Sequence, residues 1–149
     1  MLNISNNGVV MGFQEKSSWV MVLSLSLGAA LYLYFVIGAS QAAGMLVPPL
    51  MPVLVAFTVI LVVLAVVGHI VAALSSVRDA SAGEDERDRL IARRAASASG
   101  ALLSLGVLLA LGLYLVTYQG DWLFYGVFSS LVIASIAEYA LRIALYRLG

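Results

Sequence analysis

A chain of 149 residues with 62% hydrophobic content, 11% charge and a mean hydropathy of +1.03 lies far outside the soluble range of about 45–50% apolar and about 25% charged. Its 8 basic and 8 acidic residues balance to zero formal charge, which argues against electrostatic capture of nucleic acid. The absence of cysteine excludes disulfides, thiolate metal sites and cysteine nucleophiles. The composition is that of an all-α polytopic membrane protein in the bilayer.

The N-terminal stretch MLNISNNGVVMGFQEKSS is polar and almost uncharged before Glu15 and Lys16, so it does not read as a cleavable secretory signal. It forms a cytoplasmic segment, residues 1–18, ahead of one four-helix transmembrane domain, residues 19–149. The Asn3-Ile4-Ser5 triplet matches a glycosylation sequon, a short pattern of high chance rate, and the topology below places it on the wrong side. Phe13 to Ser18 reads as a short surface helix or a helix cap. From Trp19 to about Ala39 the chain is uncharged, and about 20 such residues cross the hydrocarbon core. This is the first span, with Trp19 at one end and Tyr32 and Tyr34 toward the other, where amphipathic rings favour the interface.

Pro48, Pro49 and Pro52 mark a connection, since proline lacks the N–H that a helix interior needs. The second span runs from Leu50 to about Leu74 and contains His69, the single histidine. Ser81 and Glu84 then match an S-x-x-E capping box, and Asp85 precedes Arg89 by four residues, a favourable helical spacing. The pattern predicts a cytoplasmic helix over 84–94 that continues without a break into the third span, 95–118. Tyr118 to Trp122 is a tight polar turn, and the fourth span, 122–145, ends near Arg142 and Arg147. Trp122, Phe124 and Tyr125 read as interfacial anchors at the outer rim.

Basic residues fix the orientation. Arg78, Arg87, Arg89, Arg93 and Arg94 flank the second and third spans, Lys16 precedes the first, and Arg142 and Arg147 close the fourth, while the other two connections have none. Both termini and the central segment are therefore expected in the cytoplasm.

Three ionisable side chains form a candidate intramembrane polar site: His69, Glu138 and Arg142. A charge in the bilayer costs about 2.5–3.5 kcal/mol on insertion scales, so such groups face a bundle interior or a watery cleft. Glu138 and Arg142 stand four apart on one helix face and suit an ion pair, with the arginine snorkelling to headgroups. The competing reading joins His69 and Glu138, at similar counted depth, in a proton or cation site open to the cytoplasm. A haem on one histidine would need pairing across a homodimer, and no cofactor or metal is expected. No catalytic constellation is found, and no ionisable group lies at a predicted midplane, where transporters hold substrate.

Small residues recur at helix-packing spacing: Ser24 and Gly28, Gly68 and Ala72, Gly106 and Ala110, and the stripe Ser130, Ala134, Glu138. They suit close helix contact, either within one bundle or between copies of a homo-oligomer. The charged segment, with Asp85, Glu86, Arg89, Arg93 and Arg94, is either a solvated helix extension or an interaction helix for a cytoplasmic or membrane protein partner. Its arginines also suit anionic lipid headgroups.

FQEKSSW before the first span, DERDRLIARR before the third and RIALYRLG after the fourth resemble a family of small bacterial four-span inner-membrane proteins of unknown function. In that family an EK-x-x-W start, a D-E-R-D-R-x-I juxtamembrane helix and a basic Y-R ending recur around variable spans. The resemblance implies a bacterial inner-membrane location, a cytoplasmic central helix and Met11 as the natural start, and supplies no catalytic residue. The expected function is therefore that of a non-enzymatic, self-associating interaction or regulatory protein. An oligomeric channel or transporter with His69 and Glu138 at its cytoplasmic mouth is the alternative.

Overall fold

A computed structural model describes residues 12–74 and 85–148. Ser81 and Glu84 of the expected capping box, Arg78, the Asn3 triplet and Met11 lie outside the described residues. Four helices account for most of the rest: α1, Phe13–Ala43; α2, Met51–Leu74; α3, Glu86–Thr117; and α4, Gly120–Leu148. All four are long and apolar enough to cross a membrane. The chain is an all-α, multi-pass membrane protein.

The helix ends follow from local chemistry. No proline interrupts Phe13 to Ala43, so the polar turn FQEKSS is continuous with the first span, and its 31 residues extend about 46 Å at 1.5 Å per residue. The expected separate surface helix is thus the first turn and a half of α1. Gly44 ends α1 in a left-handed conformation, φ 67°, with its N–H on the Gln41 carbonyl; only glycine adopts that geometry without penalty. Pro52 sits in the first turn of α2, where its missing N–H has no intrahelical partner to lose, and the Leu50 carbonyl accepts from both Val53 and Leu54 at 3.1 Å.

The start of α3 carries a cap of its own. Asp85 is the N-cap: its carboxylate accepts from the Glu86 and Asp88 N–H groups, while Asp88 Oδ2 accepts from the Asp85 N–H at 3.3 Å. This D-x-x-D box uses the same chemistry as an S-x-x-E box, because any short side-chain oxygen at its two ends satisfies the orphan N–H groups. Asp85 consequently lies outside the helix, and among the described residues it forms no ion pair with Arg89. At the far end Tyr118 takes the left-handed conformation, φ 53°, and α4 follows at once from Gly120.

Neighbours pack antiparallel in the order α2, α1, α4, α3, so α2 and α3 form the flanks. The α3–α4 seam is built from small residues: a Cβ on Gly126 would lie 2.7 Å from the Ala110 Cβ, and one on Gly106 would meet the Ser130 side chain. Along the α1–α2 seam Gly68 lies against Val20 and Gly28 against the Phe57 ring. All four small-residue stripes thus lie within the chain, with Ser24, Gly28, Ala72, Ala110 and Ala134 buried.

Tyr32 departs from its expected place. It is 4% exposed, about 16 Å inside the end of α1 at 1.5 Å per residue. Its ring lies 5.5 Å from Phe57 of α2 and 4.8 Å from Phe128 of α4, and those two rings are 5.4 Å apart. The expected rim anchors divide as well: Trp122 is exposed, whereas Phe124 stacks on Phe128 at 5.9 Å and the Tyr125 hydroxyl donates to the Val47 carbonyl at 3.0 Å. An aromatic hub therefore joins three helices in the half of the molecule nearer the α3–α4 turn.

Candidate functional site

The opposite end, where α1 and α3 begin and α2 and α4 finish, is tied together by polar side chains. Each tie is set by antiparallel register, which brings the first turns of one helix against the last turns of its neighbour.

His69 lies in the last turns of α2, and α1 presents Ser17 to it. Its Nδ1 is 2.7 Å from the Ala65 carbonyl and its Nε2 is 2.8 Å from Ser17 Oγ. A carbonyl only accepts, so Nδ1 carries the proton it donates to Ala65, and Nε2 pairs with the Ser17 hydroxyl. Both nitrogens are engaged. The histidine is a cross-helix hydrogen-bond partner.

Glu138 faces the other seam. Arg142 Nη2 donates to its Oε1, one turn away on α4, and the Ser99 hydroxyl of α3 donates to its Oε2 at 3.3 Å. The two side chains are 23% and 26% exposed, and Arg142 also lies over the Tyr139 ring at 5.1 Å. The pair predicted from the four-residue spacing is present. His69 and Glu138 are not joined: one bonds across α1–α2 and the other across α3–α4. Equal depth did not bring them together, since azimuth around each helix decides the neighbour.

Two further ties escaped the sequence reading. Glu15 of α1 is buried and accepts from Arg147 Nε of α4 at 3.0 Å, and the same guanidinium lies 5.6 Å over Trp19. Tyr146 of α4 donates to Asp88 Oδ1 of α3 at 3.0 Å. Glu15 and Arg147 are 132 residues apart, beyond any local pattern. The only available signal was two opposite charges on the same predicted side of the membrane.

Together these contacts form a polar layer across the four helices. Within it carboxylates, guanidiniums, imidazole and hydroxyls mostly satisfy one another, although Trp19 Nε1 and Arg142 Nε have no partner. Among the described residues no group of three histidine, aspartate or glutamate side chains is placed to hold a metal ion.

The interaction helix predicted over Asp85 to Arg94 is ordered differently from its layer neighbours. Asp85 and Asp88 are committed to the cap and to Tyr146, while Arg87, Arg89, Arg93 and Arg94 are exposed, as are Glu86 and Leu90. On the membrane side of these arginines, Ala96, Ser97, Ala98, Gly100 and Ala101 are exposed too.

No protein-family model, curated protein or solved structure matches the chain, so the site is read from its own geometry.

Proposed function

We propose that this chain is a non-enzymatic integral membrane protein that acts by association, with the exposed start of α3 as its contact surface. The observation behind this reading is a contrast of satisfaction. Charged groups inside the helix layer are paired, whereas Arg87, Arg89, Arg93 and Arg94 stand exposed. The basic flanks support a cytoplasmic orientation of this end, and the resemblance of the EK-x-x-W, D-E-R-D-R-x-I and Y-R segments supports a bacterial inner-membrane setting. Self-association belongs to the same reading. Because the four small-residue stripes are used within the chain, contact between copies runs through other faces.

The cysteine-free sequence suits site-directed cross-linking. A photo-crosslinking amino acid at Leu90 should give adducts in native membranes that charge reversal at Arg89 and Arg93 removes. Val63→Cys, on the exposed side of α2, should give a cross-linked dimer if copies meet there. Ion or solute flux in reconstituted liposomes, present in the wild type and lost in His69→Ala and Glu138→Gln, would overturn the association reading in favour of a channel.

A further inference from the structure

We infer that the outer face of α3 binds an anionic phospholipid, holding its headgroup phosphate among Arg89, Arg93 and Arg94 and its acyl chain along the small-residue strip beneath. This rests on the association reading above and names the partner's chemistry.

In sequence, the segment from Glu86 to Arg94 mixes both signs. Folding separates them in part, withdrawing the two aspartates and leaving Glu86 on the outer face. Asp88 is turned to the Asp85 N–H and the Tyr146 hydroxyl, and Asp85 closes the helix start, so the N-terminal dipole is already capped and is not the anion site. The remaining outward groups of α3 in this stretch are four arginines, Glu86 and Leu90. At 100° per residue, Arg89 and Arg93 flank Leu90 on one side and Arg94 on the other, with Glu86 on the same face about one turn further from the membrane, so the face carries a net positive charge; the buried Ile91 and Ala95 point to the opposite side.

Depth fits a phosphate. From Ala95 to Thr117 the helix extends about 34 Å at 1.5 Å per residue, close to the hydrocarbon thickness of about 30 Å, which puts Arg93 and Arg94 at headgroup level and Arg89 about one turn further out. Guanidinium groups match phosphate oxygens in pairs. Directly beneath, Ser97, Gly100 and Ala101 are exposed, and a Cβ on Gly100 would meet nothing within 4 Å. A lipid chain can therefore lie close to the backbone there, where a Leu-covered helix would hold it off.

Charge decides between occupants. A second copy is parallel in the same membrane, so α3 against α3 would set Arg89, Arg93 and Arg94 of one copy beside those of the other. A soluble protein would not reach the strip below the headgroups. An anionic lipid meets both parts at once.

The test is native mass spectrometry of the full chain released from vesicles of phosphatidylcholine and phosphatidylglycerol in equal amounts. The wild type should retain phosphatidylglycerol in preference, and each arginine removed should lower retention about fivefold. Arg93→Gln should show this, Arg89→Gln/Arg93→Gln/Arg94→Gln should reduce phosphatidylglycerol to the phosphatidylcholine level, and Gly100→Leu should weaken retention with all charges present. Arg147→Gln, at the same membrane end but on α4, should leave retention unchanged. Undiminished retention in the triple variant overturns the proposal, and so does equal loss in Arg147→Gln, which would mean diffuse attraction only. If retention ignores the arginines while the Leu90 protein adducts depend on them, the lipid is wrong and the association reading stands. If neither depends on them, both fail.

Discussion

The two hairpins of this molecule solve the same packing problem in different materials. In α3–α4, Gly106, Ala110, Gly126 and Ser130 let the backbones approach, and close contact replaces the hydrophobic drive that lipid removes. In α1–α2, valine and aromatic side chains meet single glycines, Val20 on Gly68 and Phe57 on Gly28. Bulky side chains on one wall leave space: a groove of about 230 Å³, open on its outer side, runs between α1 and α2, lined by Gly28, Tyr32, Phe57 and Ile60 among others. Helix α2 is also the more peripheral, with none of its most apolar window buried. The α1–α2 seam is therefore close at Gly68, where an added Cβ would run into a Val20 methyl, and loose at Gly28 beside the open space, which implies unequal tolerance to substitution.

The sharpest break of that comparison is at Gly126. A leucine there must displace Ala110, whose Cβ would be 2.7 Å from the new Cβ, and the obstacle sits on backbone rather than at a flexible tip. Gly126→Leu should cost about 3 kcal/mol, the top of the overpacking range, measured by steric trapping or denaturant unfolding in detergent. At Gly28 an added Cβ meets the edge of the Phe57 ring at 3.1 Å and Leu61 Cδ1 at 3.9 Å, beside a groove into which that ring can move in Gly28→Ala. Its cost should be about 1 kcal/mol or less. Equal losses for the like-for-like pair Gly126→Ala and Gly28→Ala would show that the two sites do not differ.

Next comes the charge inside the tight seam. Glu138→Leu leaves Arg142 without its carboxylate among apolar neighbours, and should cost about 2 kcal/mol, less than full insertion values because the side chain is 26% exposed and can snorkel. Glu138→Leu with Arg142→Leu should recover most of that loss. Failure of the double variant to recover would assign the effect to Ser99 rather than to the unpaired charge.

The corresponding tie in the loose seam is weaker. His69→Leu should cost about 1 kcal/mol, in the range of interhelical hydrogen bonds in lipid, and Ser17→Ala should cost about the same. The two together should be no worse than either alone, since they break one bond. Additive losses would mean that His69 and Ser17 act separately.

What the sequence shows of this fold is set by which physical signal is local. Span positions follow from apolar length, and the Glu138–Arg142 pair follows from four-residue spacing on one helix. Helix ends were harder. The FQEKSS turn looks like a surface segment because it is polar, yet nothing in it breaks a helix, and the Asp85 box was hidden by an S-x-x-E pattern that uses the same chemistry a few residues earlier. Azimuth was not legible at all. Tyr32 counts as a rim residue by position and is the buried hub because of the side of α1 it occupies. His69 and Glu138 share a depth and bond to different neighbours.

The mildest prediction concerns the tie that joins the two hairpins, Glu15 to Arg147. The carboxylate is 8% exposed but the guanidinium is 56% exposed, so most of the attraction acts through water and its net value is about 0.5–1 kcal/mol. Arg147→Gln should lower stability by that amount at low salt. In 1 M salt, where the screening length is about 3 Å, wild type and variant should converge, because glutamine retains a donor for Glu15 and loses only the screened charge. A loss of several kcal/mol that salt does not reduce would mean that the Arg147 stem over Trp19, 5.6 Å from ring centre to guanidinium, closes α1 onto α4 by packing. The hairpins would then be held together at this end by an aromatic contact, as they are at the Tyr32 hub.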